Sequence, residues 1–126
     1  MVDRLSSIKK YFFESRGGVS LSSLVGTAGT ITALTAIDKE ISPYDPDIIN
    51  GSILRRESIK GIYNRLRRLA ASERKEIPCL EEGREDIILA GTVVVIGIME
   101  TFDFSDMLVS DSGLLEGIIL EVKGYD

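Results

Sequence analysis

Histidine is absent from the 126 residues, and that absence removes a large class of chemistry. A Ser-His-Asp or Cys-His nucleophilic site cannot be assembled from this chain alone, because no imidazole is present to take the proton. Cysteine occurs once, as Cys79, so no internal disulfide can form and no zinc-ligand spacing exists. A reducing compartment is the default for such a chain. The one extended apolar stretch, residues 87–99, falls short of the ~18 residues that suggest a membrane span. The first residues, MVDRLSSIKKYFFESR, mix both charges and hold no apolar signal core. These absences point to a soluble cytoplasmic domain with no membrane contact and no cofactor or metal of its own.

What is present fits one small globular domain, residues 1–126. Hydrophobic residues make up 44% and charged residues 28%, which excludes disordered and fibrous classes. The net charge of −5 hides an asymmetry. Residues 55–75 hold eight basic and two acidic side chains, whereas residues 76–126 hold two basic and twelve acidic ones. A polyanion such as RNA or polyphosphate is drawn first to the 55–75 segment. The same pattern also describes a solvated helix face paired with the acidic half.

Helical spacing of Leu5, Ile8, Tyr11 and Phe12 predicts a first helix over residues 3–14, broken by SRGGVS. LSSLVG reads as a short strand, and Ile31, Leu34 and Ile37 predict a helix running to about Ile41. SPYDPDIINGSIL reads as loop with room for one short strand. Ile59, Ile62, Tyr63, Leu66 and Leu69 form the apolar stripe of a basic helix over residues 55–75. DIILAGTVVVIGIM suits a strand or a helix by periodicity; its length favours a helix buried on nearly every side, with Gly91 and Gly97 allowing close packing. DMLVSD predicts a second short strand, SGLLEG a turn or helix start, and IILEVKGYD a fraying end.

The chemical interest lies in two small-residue loops. Gly26, Thr27, Ala28, Gly29 and Thr30 follow a strand and open a helix. A strand turning sharply into a helix leaves backbone N–H groups pointing outward, and their partial positive charge suits phosphate oxygens. Glycine admits a ligand close to the backbone, and the threonine hydroxyls can cap the helix or donate to an anion. The stretch is neither a Walker loop nor a G-x-G-x-x-G pattern, so a plain turn explains it as well. A second candidate loop, Ser110, Asp111 and Gly113, follows the second strand. If the two strands are parallel neighbours, both loops open at one sheet edge, where α/β folds bind ligands. Turn and cap roles for the same residues are the competing reading.

VGTAGTITALTAI, IPCLEEGREDIILAG and VSDSGLLEGI, in this order and spacing, resemble the exopolyphosphatase / guanosine pentaphosphate phosphohydrolase (Ppx/GppA) family over essentially the whole chain. The resemblance implies an α/β fold: part of a ribonuclease-H-like lobe of the actin-like ATPase superfamily, with short parallel strands packed with several helices. It implies a chain that corresponds to the C-terminal part of the second lobe. The family's first lobe, its catalytic glutamate and its glycine-rich second phosphate loop are expected to lie elsewhere, so no catalytic residue is assigned here. Residues 26–30 correspond to the loop on the second-lobe side of the cleft, and Arg84 and Asp86 to an Arg-x-Asp pattern opening the apolar helix. That helix is then expected beneath the sheet. Substrates implied are polyphosphate or a guanosine nucleotide, with magnesium for the full-length enzyme. Such a fragment is expected to be inactive alone and either to self-associate or to need the missing N-terminal lobe. A free-standing phosphate-binding or dimerising module is the alternative. Cys79 stands where the family often has glycine, and Leu115-Glu116-Gly117 where it has Arg-Glu-Gly.

Overall fold

A computed structural model describes residues 1–15 and 23–124. The expected SRGGVS break and the start of the first strand lie largely outside these residues. Helix α1 (Val2–Ser15) carries Leu5 towards α6 (Ile87–Thr101), and the Lys9 ammonium donates to the Thr101 carbonyl at 2.6 Å. Strand β1 (Val25–Gly26) leads into α2 (Gly29–Lys39), the central helix of the core. Residues 31–37 of α2 are all buried, including Thr32 and Thr35. Their hydroxyls donate back to Ala28, Gly29 and Ile31 carbonyls, which removes the cost of burying them. Glu40 ends α2 in a left-handed conformation, its N–H and that of Ile41 turning back onto the last carbonyls, so the helix stops before Ile41.

The stretch expected to be loop holds a short helix, α3 (Pro46–Ile49), and strand β2 (Ile53–Arg55). Asp45 caps α3 by accepting from the Asp47 N–H at 3.0 Å, and Pro46 sits where a missing N–H costs nothing. The basic segment is not one helix. It divides into α4 (Arg56–Leu66) and α5 (Ala71–Lys75), because Arg74 reaches back and donates to the Leu66 and Leu69 carbonyls at the end of α4. The Glu73 carboxylate accepts from the Ala70 N–H and holds the turn. Strand β3 (Asp106–Val109) follows α6, and α7 (Leu114–Lys123) extends as a helix through the part expected to fray.

The three strands form one mixed sheet in the order β1-β3-β2. β1 and β3 are parallel, as expected, with Val25 opposite Leu108 and Gly26 opposite Val109. β2 runs antiparallel to β3 on its other side, with Ile53 opposite Leu108. The register sends Leu54, Met107 and Val109 into the core with Leu34, Ile59, Leu66, Ile88 and Met99. It also aligns Val25, Leu108 and Ile53 in a row on the outer face, 57%, 42% and 47% exposed. The apolar α6 is less enclosed than expected. It buries Ile88, Thr92, Val95 and Met99, but leaves Ile87, Val93 and Val94 exposed, and it packs chiefly on α4, α1 and α2 rather than directly on the sheet. Among the described residues no helix is long and apolar enough to cross a membrane.

Candidate phosphate-binding site

Parallel pairing brings the two small-residue loops together. β1 and β3 end side by side, and the Ser110 N–H donates to the Gly26 carbonyl at 2.8 Å. The Thr27 hydroxyl donates to the Ser112 carbonyl at 3.1 Å. All residues expected from the sequence, Gly26 to Thr30 and Ser110, Asp111 and Gly113, therefore lie at one sheet edge. The loop 26–30 borders a cleft of about 500 Å³ together with Arg84, Gly91, Val94, Ile98 and Met107.

Each small residue of the first loop has a steric reason. A Cβ on Gly26 would collide with the Met107 sulfur beneath it, and one on Gly29 would collide with the Arg84 guanidinium. Ala28 adopts φ 72° and ψ 175°, a conformation that belongs to glycine and stores strain in a side-chain-bearing residue. It is the N-cap of α2 and offers no side-chain cap. The first N–H groups of α2 have no acceptor within the helix and no side-chain cap, so that end is electropositive.

The threonines behave differently from expectation. Thr27 uses its hydroxyl to tie the loops, while the Thr30 side chain packs against Gly91, where a Cβ would come within 2.6 Å of its oxygen. The cationic partner of the loop is Arg84. Its Nε donates to Glu81 at 2.7 Å, and its guanidinium lies over Gly29 at the start of α2. Asp86 of the same pattern stands at the N-cap position of α6 and pairs with Arg74 at 3.4 Å.

Around the second loop, the Asp111 N–H donates to Asn50 Oδ1 at 3.0 Å, and the Tyr44 hydroxyl donates to Asp111 Oδ1 at 2.6 Å. Loss of hydration together with this carboxylate pushes the Tyr44 phenol up to about 12. Glu116 accepts from the Gly113 N–H at 2.7 Å, and this bond holds its carboxyl below the ordinary glutamate value. Tyr44 and Asn50 were not expected from the sequence. Their only local signal is a turn-rich stretch, and their partner lies more than sixty residues away.

Much of the basic segment is already engaged. Arg74 is 8% exposed and holds Leu66, Leu69, Glu85 and Asp86 together. Lys60 pairs with Glu100 at 2.8 Å, which raises the lysine and lowers the glutamate, and Lys75 pairs with Glu85. Arg67 sits over the Tyr63 ring. Arg65, Arg67 and Arg68 are exposed, and Arg65 shares a groove with Glu40, Glu73 and Glu76. The free positive face is thus smaller than the charge count implied.

A mixed sheet with helices wound between its parallel strands, and paired loops at one edge, defines part of an actin-like ATPase lobe. The type II crystal structure of the Aquifex aeolicus Ppx/GppA phosphatase matches 94% of this chain with a TM-score of 0.83 and 31% identity, over 37% of its own length. A second crystal structure of the Aquifex aeolicus family member matches 99% at a TM-score of 0.80 and 28% identity, over 42% of its length. The profile of the Ppx/GppA phosphatase family matches residues 3–125, and the chain belongs to that family. A bifunctional 3-dehydroquinate synthase/phosphatase of Fusobacterium nucleatum is 31% identical over 99 residues, covering 79% of this chain and 15% of that protein. Exopolyphosphatase 2 of Mycobacterium tuberculosis is 29% identical over 104 residues, covering 79% of this chain and 33% of that protein. The chain thus spans less than half the length of each of these relatives.

Proposed function

We propose that this chain supplies one wall of a Ppx/GppA phosphohydrolase cleft, as the C-terminal portion of the second lobe, and binds polyphosphate or a guanosine nucleotide through residues 26–30 and 110–113. The observation that carries this reading is the convergence of an uncapped helix N-terminus, the Arg84 guanidinium and two small-residue loops at the ends of adjacent parallel strands. The positive end of α2 and the Arg84 guanidinium lie together at Gly29, and beyond the Glu81 carboxylate that Arg84 already binds, a phosphate anion is a favourable further partner for both. The mycobacterial relative's name specifies polyphosphate, which is an anion of this kind.

The same chain binds without cleaving. Phosphoryl transfer to water needs a positioned water and groups that neutralise charge on the transferring oxygens, usually with a metal ion. The test is calorimetric titration with sodium tripolyphosphate alongside a phosphate-release assay with magnesium. Saturable binding without turnover is expected; turnover by the isolated chain, or no binding at all, overturns the reading.

A second role, association, is favoured by a specific surface. Val25, Leu108 and Ile53 are exposed on the outer face of the sheet, and Leu115, Ile118, Ile119, Leu120 and Val122 are exposed on α7. Such exposed apolar area mediates contacts, either with another copy or with the remainder of a family fold. A monomer by sedimentation at high concentration contradicts self-association.

A further inference from the structure

The second loop presents a difficulty for an anion site. Asp111 lies between Ser110 and Ser112, both bonded to the first loop, so a carboxylate-bearing residue stands beside residues 26–30. Left free to rotate, that charge would repel a phosphate ligand. It is not free. Tyr44 donates to its Oδ1 at 2.6 Å, and Asn50 accepts from its N–H. One phenol therefore links the loop before α3 to the second loop.

Resting on the phosphate-site reading, we propose that Tyr44 is a positioning residue that fixes the Asp111 carboxylate at its own hydroxyl, keeping that charge off the bound phosphate and seating the 110–113 loop beside residues 26–30. Phenylalanine at 44 keeps the ring but removes the donor. The carboxylate then samples the phosphate site and the loop loosens. Asparagine at 111 removes the charge while retaining an oxygen acceptor, so it cancels the first effect but not the second. A role confined to packing would show no such rescue.

The test compares wild type, Y44F and Y44F/D111N in calorimetric titrations with sodium tripolyphosphate, together with hydrogen exchange at the Ser110 N–H of the ligand-free proteins. Y44F is expected to bind about five-fold more weakly, and the double variant to return to within about two-fold of wild type. Ser110 exchange should rise about ten-fold in both variants. A double variant as weak as Y44F, or a Y44F that binds and exchanges like wild type, overturns the proposal. If wild type itself fails to bind tripolyphosphate, the phosphate-site reading falls. The positioning role is then decided by exchange alone: faster Ser110 exchange in Y44F supports it, and unchanged exchange refutes it.

Discussion

The Arg84 guanidinium lies across Gly29, so close that glycine is the residue the space admits. This contact joins the segment before α6 to the first residue of α2, and it places a full positive charge at a helix N-terminus. Glu81, three residues before Arg84 in the chain, accepts from its Nε at 2.7 Å and helps to hold the guanidinium there.

Gly29→Ala is expected to displace Arg84 and weaken tripolyphosphate binding roughly ten-fold, with a smaller loss of thermal stability. Arg84→Ala should weaken binding by a similar factor while leaving the fold intact, since its charge serves the ligand more than the core. Calorimetry and thermal unfolding on the two variants separate these effects.

Ala28 offers a test of strain. Its φ of 72° suits glycine, so Ala28→Gly should stabilise the chain by up to about 1 kcal/mol, the relief of strain outweighing the added freedom of the unfolded chain. Ala28→Val should destabilise it by more than 1 kcal/mol in denaturant titrations, as a β-branched side chain fits this conformation worst.

Arg74 is the structural counterpart of Arg84. Its guanidinium satisfies carbonyls of Leu66, Leu69 and Glu85 and pairs with Asp86, locking the end of α4 to the start of α6. Arg74→Ala should cost roughly 3 kcal/mol by leaving buried carbonyls unpaired. Arg74→Lys should recover only part of this, because a single ammonium cannot reproduce the planar fork. Neither variant should change which loop residues respond to tripolyphosphate.

Glu116 and Tyr44 each link stability to pH. Glu116 is held below the ordinary glutamate value of 4.5 by the Gly113 N–H, so its contribution is present above that value. It is lost as pH falls through the folded-state value, and Gly113 amide exchange should accelerate there; Glu116→Gln should flatten the response. Tyr44, raised to about 12, favours the fold in its neutral form; the advantage is present below the ordinary value of 10.0 and is lost as pH rises towards 12. Asp111→Asn should lower the Tyr44 value only in part, because burial also raises it.

Much of this architecture was legible locally. The stripes of α1, α2 and α4 and the strand DMLV follow from side-chain periodicity, which reports the direction of a core without naming its contents. The stretch of α6 was harder, since valine and isoleucine suit either element; its length favoured a helix, but length says nothing of which neighbours cover it, and Val93 and Val94 face outward. The division of the basic segment was hidden because Arg74 looks like any other charge in a run of arginines. Its burial depends on carbonyls exposed only once α4 has ended. Likewise the five residues of the first loop could be read as an anion cradle, whereas Tyr44 and Asn50 could not. Their place beside Asp111 arises from a chain crossing that no short window contains.

The central claim is that residues 26–30 and 110–113 form a phosphate-binding edge, and amide chemical shifts during a tripolyphosphate titration test it most directly. The expected result is saturable shifts concentrated at Gly26, Thr27, Ala28, Gly29 and Thr30, with smaller ones at Ser110, Asp111 and Gly113. Loop amides that stay unmoved while those of Arg65, Arg67 and Arg68 shift would contradict it and transfer the binding to the basic face of α4.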